Sequence, residues 1–183
     1  MDMGYETYQK ILAEAMEELG VETGISTARS EESYVEDCTI ETDQPAMIPD
    51  SYIDITAEKI RIYKQLDSMT SDKEIERVKS QLEDRFGEMP VESDNLFYVV
   101  KIRNLGGKLG FEKIIIKNGM MIMFFIANQM SPYYKSKVFS GILQNINAND
   151  QLFNLKQSEG KLKIVSRGID SLPKALQTLS KLQ

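Results

Sequence analysis

The chain has no histidine, no tryptophan and a single cysteine among its 183 residues. Without histidine it cannot build zinc sites on imidazole, nor the Ser-His-Asp and Cys-His arrangements of nucleophilic enzymes. Cys38 alone cannot form a disulfide within the chain, which is typical of proteins from a reducing compartment. We therefore predict no metal ligands and no catalytic residues of these classes.

Long apolar runs are also missing, and the charge balance is acidic. No segment approaches the roughly eighteen consecutive apolar residues of a membrane-spanning helix, and residues 1–20 carry too many carboxylates for a signal peptide. The net charge of the chain is −6. Direct binding to nucleic acid would need the opposite balance. We therefore predict a cytoplasmic protein whose partners are basic or mixed protein surfaces.

The N-terminal part divides into a predicted helix and a predicted linker. Apolar side chains recur at three- and four-residue steps over residues 5–19, and Gly20 is typical of a helix end. We interpret residues 1–20 as an amphipathic helix belonging to a preceding module. Residues 21–36 lose this periodicity and are rich in Ser, Thr, Gly and Glu, which predicts a flexible linker. A C-terminal domain would then span residues 37–183.

The first part of this domain is predicted to be mainly helical. Ser71 and Glu74 fit a capping box at the start of a helix, which Gly87 and Pro90 then end. Thr56 is the predicted cap of an earlier helix. The predicted elements are a strand at 37–43 and helices at about 57–68, from Ser71 to Gly87, and at about 91–109.

From residue 111 the apolar period changes from near four to two. Asn118-Gly119 and Ser158-Glu159-Gly160 provide the turn chemistry of two hairpins. The predicted elements are strands at 111–117 and 120–126, a helix at 131–147, strands at 151–157 and 161–166, and a helix at about 171–181. This ββα-ββα order predicts an α+β fold, in which helices pack on an antiparallel sheet built from the two hairpins.

One segment resembles a phosphate-binding loop, but only superficially. Gly106 and Gly107 precede Lys108, yet these glycines close a predicted helix, and Leu109 stands where a hydroxyl residue is needed. We find no other motif for acyl transfer, phosphoryl transfer, metal binding or dinucleotide binding. The chain is therefore predicted to be no enzyme and to bind no cofactor.

Several motifs together resemble those of one protein family. They are Gly4-Tyr5-x-x-Tyr8, Ile48-Pro49-x-x-Tyr52, Arg61-x-Tyr63, Asp84-Arg85-Phe86-Gly87-x-x-Pro90 and Lys108-Leu109-Gly110-Phe111. The set is similar to the C-terminal domain of the bacterial transcription-repair coupling factor, often called Mfd, and it covers residues 4–116. The parent protein of that family is an ATP-driven DNA translocase acting in nucleotide excision repair, whose motor motifs are absent here.

The resemblance implies a regulatory, autoinhibitory role. In the family this domain docks on the UvrB-like N-terminal module of the same protein and masks its UvrA-binding surface. RNA polymerase, DNA and UvrA would then be indirect partners, reached through the parent protein. Acidic positions on the helix that ends in Asp-Arg-Phe-Gly contribute to the docking. Asp84 matches one of these positions, whereas Gln81 stands where the family can carry glutamate.

Helix geometry supports the same surface. At about 100° per residue, Asp84 falls almost opposite the apolar stripe of this helix, and Phe86 turns inward. The predicted interdomain interaction residues are Asp84, Gln81, Arg85, Arg77 and Glu88. The alternative is an ordinary solvated Asp84, with Arg85 paired locally.

Two other functions remain open from the sequence. A ββα-ββα sheet can bind a metabolite at its edge, which would make the chain a small-molecule-sensing regulatory domain. Lys108, Lys113 and Lys117 could instead form a nucleic-acid-binding arm with Tyr133, although the acidic charge balance disfavours it.

Overall fold

A computed structural model describes residues 34–183. The predicted helix at 1–20 and most of the predicted linker lie outside the described residues. The described part forms two compact units, one of residues 45–100 and one of residues 34–44 with 101–183. The stretch that the sequence suggests as one domain, 37–183, thus contains both units.

The first unit is helical. Its elements are α1 (Thr56–Ser68), α2 (Asp72–Phe86) and the part of α3 (Val91–Leu109) up to Val100. Each helix presents an apolar stripe to a common core. The buried core residues are Ile48, Ile53, Ile62, Tyr63, Leu66, Ile75, Val78, Leu82, Met89, Leu96, Phe97 and Val100. The three helices predicted for this part of the sequence are confirmed.

The predicted cap of α1 is wrong, whereas that of α2 is right in position but lacks its hydrogen bond among the described residues. Ile55, not Thr56, is the N-cap of α1, and no side chain of the described residues caps it. Ser71 is the N-cap of α2, but its hydroxyl makes no capping hydrogen bond within residues 34–183. The packing of an amphipathic face supplies most of a helix's stability in a protein, so these helices form without their side-chain caps.

The second unit contains a five-stranded sheet in the order β1-β2-β3-β5-β4. The strands are β1 (Thr39–Thr42), β2 (Phe111–Lys117), β3 (Met120–Phe125), β4 (Asn154–Ser158) and β5 (Lys161–Arg167). The predicted α+β class is confirmed. The sheet is mixed rather than purely antiparallel, because the strand predicted at 37–43 pairs parallel to β2. A parallel neighbour needs a long connection, which the chain between β1 and β2 provides.

Both predicted hairpins are confirmed. Asn118 and Gly119 have φ of 53° and 71°, and Glu159 and Gly160 have φ of 53° and 75°. Two consecutive left-handed residues form the two-residue turn whose twist matches that of the flanking strands. The hairpins join through β3 and β5, so β4 lies at one edge of the sheet.

The helix predicted at 131–147 is interrupted. A 3₁₀ helix at Pro132–Lys135 precedes α4 (Lys137–Ala148), and Ser136 between them is extended. The Ser136 hydroxyl accepts a hydrogen bond from the Phe139 N–H at 3.2 Å, which makes Ser136 an N-cap. The last helix, α5 (Leu172–Ser180), is capped in the same way by Ser171.

The helices of this unit pack on one face of the sheet. That face is formed by the buried side chains of Ile114, Ile116, Met121, Met123, Phe125 and Ile164. The Phe139 ring of α4 meets the Phe125 ring edge-on, with centroids 5.5 Å apart. A Cβ on Gly106 of α3 would lie 2.7 Å from the end of the Ile114 side chain and 2.9 Å from the Cys38 sulfur, so any larger residue would require these side chains to shift.

Two residues of the predicted linker are packed. Val35 is buried, and the Tyr34 ring lies edge-on to the Tyr133 ring at 5.5 Å. Cys38, three residues after Val35, is also buried, and this burial raises the pKa of its thiol to about 12. Within residues 34–183, no helix is long and apolar enough to cross a membrane.

Candidate interaction face on helix α2

The inner face of α2 anchors the helix in the first unit. Ile75, Val78 and Leu82 follow one another at three- and four-residue steps, and all three are buried. Burial of an aliphatic side chain of this size stabilises the fold by about 1.5–3 kcal/mol. The orientation of α2 about its own axis is therefore well determined, and so is the direction of its outer face.

The end of α2 is held by contacts of the Phe86-Gly87 pair. The Phe86 ring lies edge-on to the Tyr52 ring, with centroids 5.9 Å apart. Gly87 has a φ of 88°, which favours glycine, and its N–H donates to the Glu83 carbonyl at 2.9 Å. The Tyr52 hydroxyl donates to the Gly87 carbonyl at 3.0 Å. These contacts give Phe86 and Gly87 of the signature motif a structural role.

Pro90 begins the next helix. Its carbonyl accepts hydrogen bonds from the Ser93 and Asp94 N–H groups, both at 3.0 Å. The Ser93 hydroxyl donates to the Met47 carbonyl at 3.1 Å, and the Asn95 amide donates to the Pro45 carbonyl at 3.0 Å. The chain between α2 and α3 is therefore fixed at both ends.

The outer face of α2 carries three of the predicted interaction residues in one stripe. Arg77, Gln81 and Asp84 are exposed, and their spacing of four and three residues aligns them along the helix. Neither Arg77 nor Asp84 has an ion-pair partner among residues 34–183. Asp84 lies opposite the buried stripe, as helix geometry predicts, and its interaction role stays a prediction.

Arg85 differs from these three, because it has a local partner. Its Nη1 lies 2.5 Å from Oε1 of Glu58 on α1, and its guanidinium lies 4.8 Å from the Phe86 ring centroid. Glu58 also pairs with Arg61 at 2.5 Å. The hydrogen bond from Arg61 and the charges of Arg61 and Arg85 lower the pKa of the Glu58 carboxyl. Arg85 therefore has an ion-pair partner within the first unit, although this partner lies on another helix and not close to Arg85 in the sequence.

Glu88 lies beyond the end of α2. It follows Gly87 and is exposed, so helix periodicity does not place it on the stripe. The structure thus aligns Arg77, Gln81 and Asp84 and places Arg85 beside Asp84 in the last turn. Glu88 follows outside the helix.

The ion-pair partners that surround this face are not among the residues predicted from the sequence. The three-residue spacing of Glu58 and Arg61 could have suggested their pair. Nothing in the sequence links Glu58 to Arg85, which lies 27 residues further along the chain. The sequence likewise gives no sign that Lys79 pairs with Asp94, although the Nζ and Oδ1 atoms of these residues lie 2.5 Å apart. The hydrogen bond to Asp94 raises the pKa of Lys79.

The nucleic-acid arm considered from the sequence is contradicted by the position of Tyr133. This ring is fully buried, and its hydroxyl donates to the Leu109 carbonyl at 2.6 Å, so it cannot stack on a base. Lys113 and Lys117 both pair with Glu41, at 2.6 and 3.4 Å. The hydrogen bond from Lys113 lowers the pKa of Glu41.

Comparison with known proteins decides the family. A family model described as "TRCF domain" matches residues 42–136, which is more than half of the chain. The chain belongs to the TRCF domain family. The "Transcription-repair-coupling factor" of Rickettsia typhi is 33% identical over 131 residues, covering 71% of this chain and 11% of the relative. That of Escherichia coli K12 is 28% identical over 133 residues, with the same coverage of 71% and 11%.

The fold comparison agrees with this assignment. A solved structure titled "Crystal structure of C-terminal domain of transcription-repair coupling factor" superposes with a TM-score of 0.67 and 18% identity. It covers 80% of this chain and 89% of that chain. The predicted resemblance is therefore confirmed: this TRCF domain corresponds to the C-terminal domain of a transcription-repair coupling factor. It spans 11% of the length of the curated relatives.

Proposed function

We propose that this TRCF domain is an autoinhibitory module that docks on the UvrB-like N-terminal module of its parent protein through the outer face of α2. Docking masks the surface through which that module recruits UvrA. The observation that supports this role is the exposed stripe of Arg77, Gln81 and Asp84, opposite a buried stripe that fixes its direction.

The electrostatic state of Asp84 suits a docking contact. It is exposed and has no ion-pair partner among the described residues, so a basic residue of the partner can pair with it without first breaking a local bond. The packed and capped end of α2 holds this position in place, which reduces the entropy lost on binding. A charge-assisted hydrogen bond of this kind contributes about 1–3 kcal/mol.

Release of the docked state belongs to the parent protein. We propose that the parent is an ATP-driven DNA translocase whose motor cycle, together with RNA polymerase and DNA, shifts the population toward the open state. Losing about 1.4 kcal/mol of docking energy changes the ratio of closed to open molecules tenfold. A single contact at Asp84 is therefore large enough to influence the switch.

The test is calorimetric binding of the 183-residue chain to the UvrB-like N-terminal module of the same parent protein. Asp84→Lys should weaken binding at least tenfold, because it places a cation opposite the partner's basic surface. Asp150→Lys is the matched control. It makes the same charge change at an exposed position of the second unit and should leave the affinity unchanged.

Each other outcome has a definite meaning. Equal binding by wild type and Asp84→Lys would move the docking surface away from α2. No binding by the folded wild-type chain would contradict the docking function itself. Arg77→Glu serves as a second probe of the stripe, and an unchanged affinity in both variants would exclude this face.

A further inference from the structure

The face of the sheet that the helices of the second unit leave open has an ordered arrangement of side chains. The register places Ile115, Ile122 and Val165 side by side on β2, β3 and β5. Directly opposed residues of neighbouring strands point to the same side, so these three form an aliphatic row across the sheet. Ile115 and Ile122 are partly exposed, whereas Val165 is only 8% exposed and counts as buried.

A cationic row lies on each side of this aliphatic row. On one side the register aligns Lys113, Phe124, Lys163 and Lys156. On the other side it aligns Lys117, Met120 and Arg167. Lys161 lies on the same face of β5, two residues from Lys163. Of the strand residues that the register places on this face, six are basic and one, Glu41, is acidic.

Four of the six cations have no acidic partner in the described part of the chain. Lys113 and Lys117 share Glu41. Lys156, Lys161, Lys163 and Arg167 make no ion pair with any residue of 34–183. This excess occurs in a chain whose net charge is −6.

One pair on this face is electrostatically unfavourable in the free protein. Lys156 on β4 lies directly opposite Lys163 on β5. Like charges at directly opposed positions destabilise a sheet. The Lys163 ammonium lies 5.8 Å from the Phe124 ring centroid, which offsets only part of this repulsion. An anionic group bound between the two lysines would remove it.

A cavity at the end of β3 offers a place for an apolar side chain. It has a volume of about 210 Å³ and lies against Phe124 and Phe125, with Lys113, Lys161, Glu112 and Ala127 around it. Lys161 at its rim makes no ion pair among residues 34–183 and can hold a carboxylate beside an inserted aliphatic group, whereas Lys113 already pairs with Glu41. Apolar anchors in such a setting dominate the binding energy of most interfaces.

We infer that the open face of the sheet docks an acidic amphipathic segment of a partner protein. Aliphatic side chains of that segment pack on the partly exposed Ile115 and Ile122, and its carboxylates on both flanks pair with Lys156, Lys161, Lys163 and Arg167. The aliphatic row favours a protein over nucleic acid, because bases need aromatic faces for stacking. Phe124 is the one aromatic residue of this face among the described strands, and Lys163 already lies over its ring.

The experiment uses the complete 183-residue chain and a fluorescent synthetic helix as the probe. In this peptide, leucines recur at three- and four-residue steps and glutamates line both flanks of the leucine stripe. One control peptide replaces the leucines with serine, and another replaces the glutamates with lysine. A fluorescent oligothymidine of fifteen nucleotides tests for nucleic-acid binding in the same anisotropy assay.

The decisive variant is Lys156→Glu combined with Lys161→Glu. It places one carboxylate directly opposite Lys163 and another two residues before it on β5, so the sheet gains one favourable cross-strand pair while the face loses its excess positive charge. We expect saturable binding of the acidic amphipathic helix, and affinity about tenfold or more lower in this variant. Lys174→Glu combined with Lys181→Glu makes the same charge change on and just after α5 and should bind like wild type.

The peptide controls and the fold control complete the test. Both control peptides should bind at least about tenfold more weakly than the amphipathic helix. The Lys156→Glu, Lys161→Glu variant should keep the wild-type thermal midpoint or exceed it, which excludes unfolding as the cause of lost binding. The inference is overturned if the acidic helix does not bind, or if both double variants bind it equally. It is also overturned if oligothymidine binds more tightly than the acidic helix.

Discussion

The outer face of α2 in the first unit and the open face of the sheet in the second unit offer a partner different chemistry. The α2 stripe combines a cation, an amide and a carboxylate and contains no large apolar group. The open sheet face combines an aliphatic row with cations that have no acidic partner among residues 34–183. The first suits a specific, reversible contact at a few points. The second suits an amphipathic segment that buries apolar area.

The two faces also depend on their interiors in different ways. The α2 stripe is oriented by the three buried residues behind it, Ile75, Val78 and Leu82. The open sheet face depends on close packing behind the sheet. A Cβ at Gly106 would approach Ile114 of β2, and one at Gly110 would approach the Tyr133 ring. Changes in the interior should therefore affect the two faces to different extents, and changes on the faces themselves should hardly affect stability.

Gly110→Ala should have the largest effect, compared with Gly87→Ala as its matched control. Both glycines have a φ of 88°, and each follows a helix end. A Cβ at Gly110 would lie 2.2 Å from the Tyr133 ring, whereas one at Gly87 meets nothing within 4 Å. We expect Gly110→Ala to lower the free energy of unfolding by about 3 kcal/mol or more, from backbone strain and overpacking together. Gly87 combines this φ with a ψ of −171°, a region essentially restricted to glycine, so Gly87→Ala should cost about 1–3 kcal/mol from strain alone.

Urea denaturation measures both variants. Equal losses at the two positions would contradict the view that close packing against Tyr133, rather than backbone conformation alone, requires glycine at Gly110. A Gly110→Ala protein that remains folded should bind the acidic probe helix less tightly than Gly87→Ala does. The displaced Tyr133 ring would disturb the packing of the second unit, whose sheet carries the open face.

Leu82→Ala and Asp84→Ala separate the inner from the outer face of α2. Leu82 is buried, and its truncation should lower the free energy of unfolding by about 2–5 kcal/mol. Asp84 is exposed, and its truncation should change stability by less than about 0.5 kcal/mol. Thermal unfolding monitored by circular dichroism checks both. A large loss of stability for Asp84→Ala would mean that this carboxylate serves the fold rather than a partner.

The sequence predicted local features of both units well. Helical periodicity placed Ile75, Val78 and Leu82 on the buried side of α2 and Asp84 opposite to them, because these positions follow from 100° per residue. The turn residues Asn118 and Gly119 located the first hairpin, because few residues adopt left-handed conformations.

What the sequence could not predict depends on contacts between distant segments. The parallel pairing of β1 with β2 joins Thr39 to Lys113, and no local pattern encodes it. The pair of Arg85 with Glu58 has the same character. The rows of the open sheet face appear only when the register of the strands is known, because three consecutive alignments create them. The predicted capping hydrogen bonds are missing from the described part of the chain because packing of the apolar faces, rather than a side-chain cap, stabilises α1 and α2.

Lys156→Glu should stabilise the protein slightly. It converts the opposed pair of Lys156 and Lys163 into an attractive one, which should raise the free energy of unfolding by about 0.5 kcal/mol. Lys64→Glu, at an exposed position in the middle of α1, is the charge-matched control and faces no such pair in the sheet. Denaturant unfolding at low and high salt checks both, and the gain should shrink at high salt. A loss of stability for Lys156→Glu would show that Lys163 does not experience the repulsion on which the acidic partner was inferred.

Glu58→Gln should have the smallest effect, and it tests the contrast between the paired Arg85 and the four cations of the sheet. Partners lower the pKa of the Glu58 carboxyl below its ordinary value of 4.5 in the folded protein. The ionised carboxylate therefore contributes stability above the unfolded pKa, and this contribution is lost as the pH falls through the folded pKa. The midpoint difference between wild type and Glu58→Gln should be small at neutral pH, because the pair is exposed and screened. It should vanish as the pH falls below about 4.5.

Glu159→Gln, in the exposed turn of the second hairpin, is the control and should show no such trend. A difference that is constant from neutral to acid pH would mean that Arg85 gains nothing from Glu58. Arg85 would then be as available to a docking partner as Asp84.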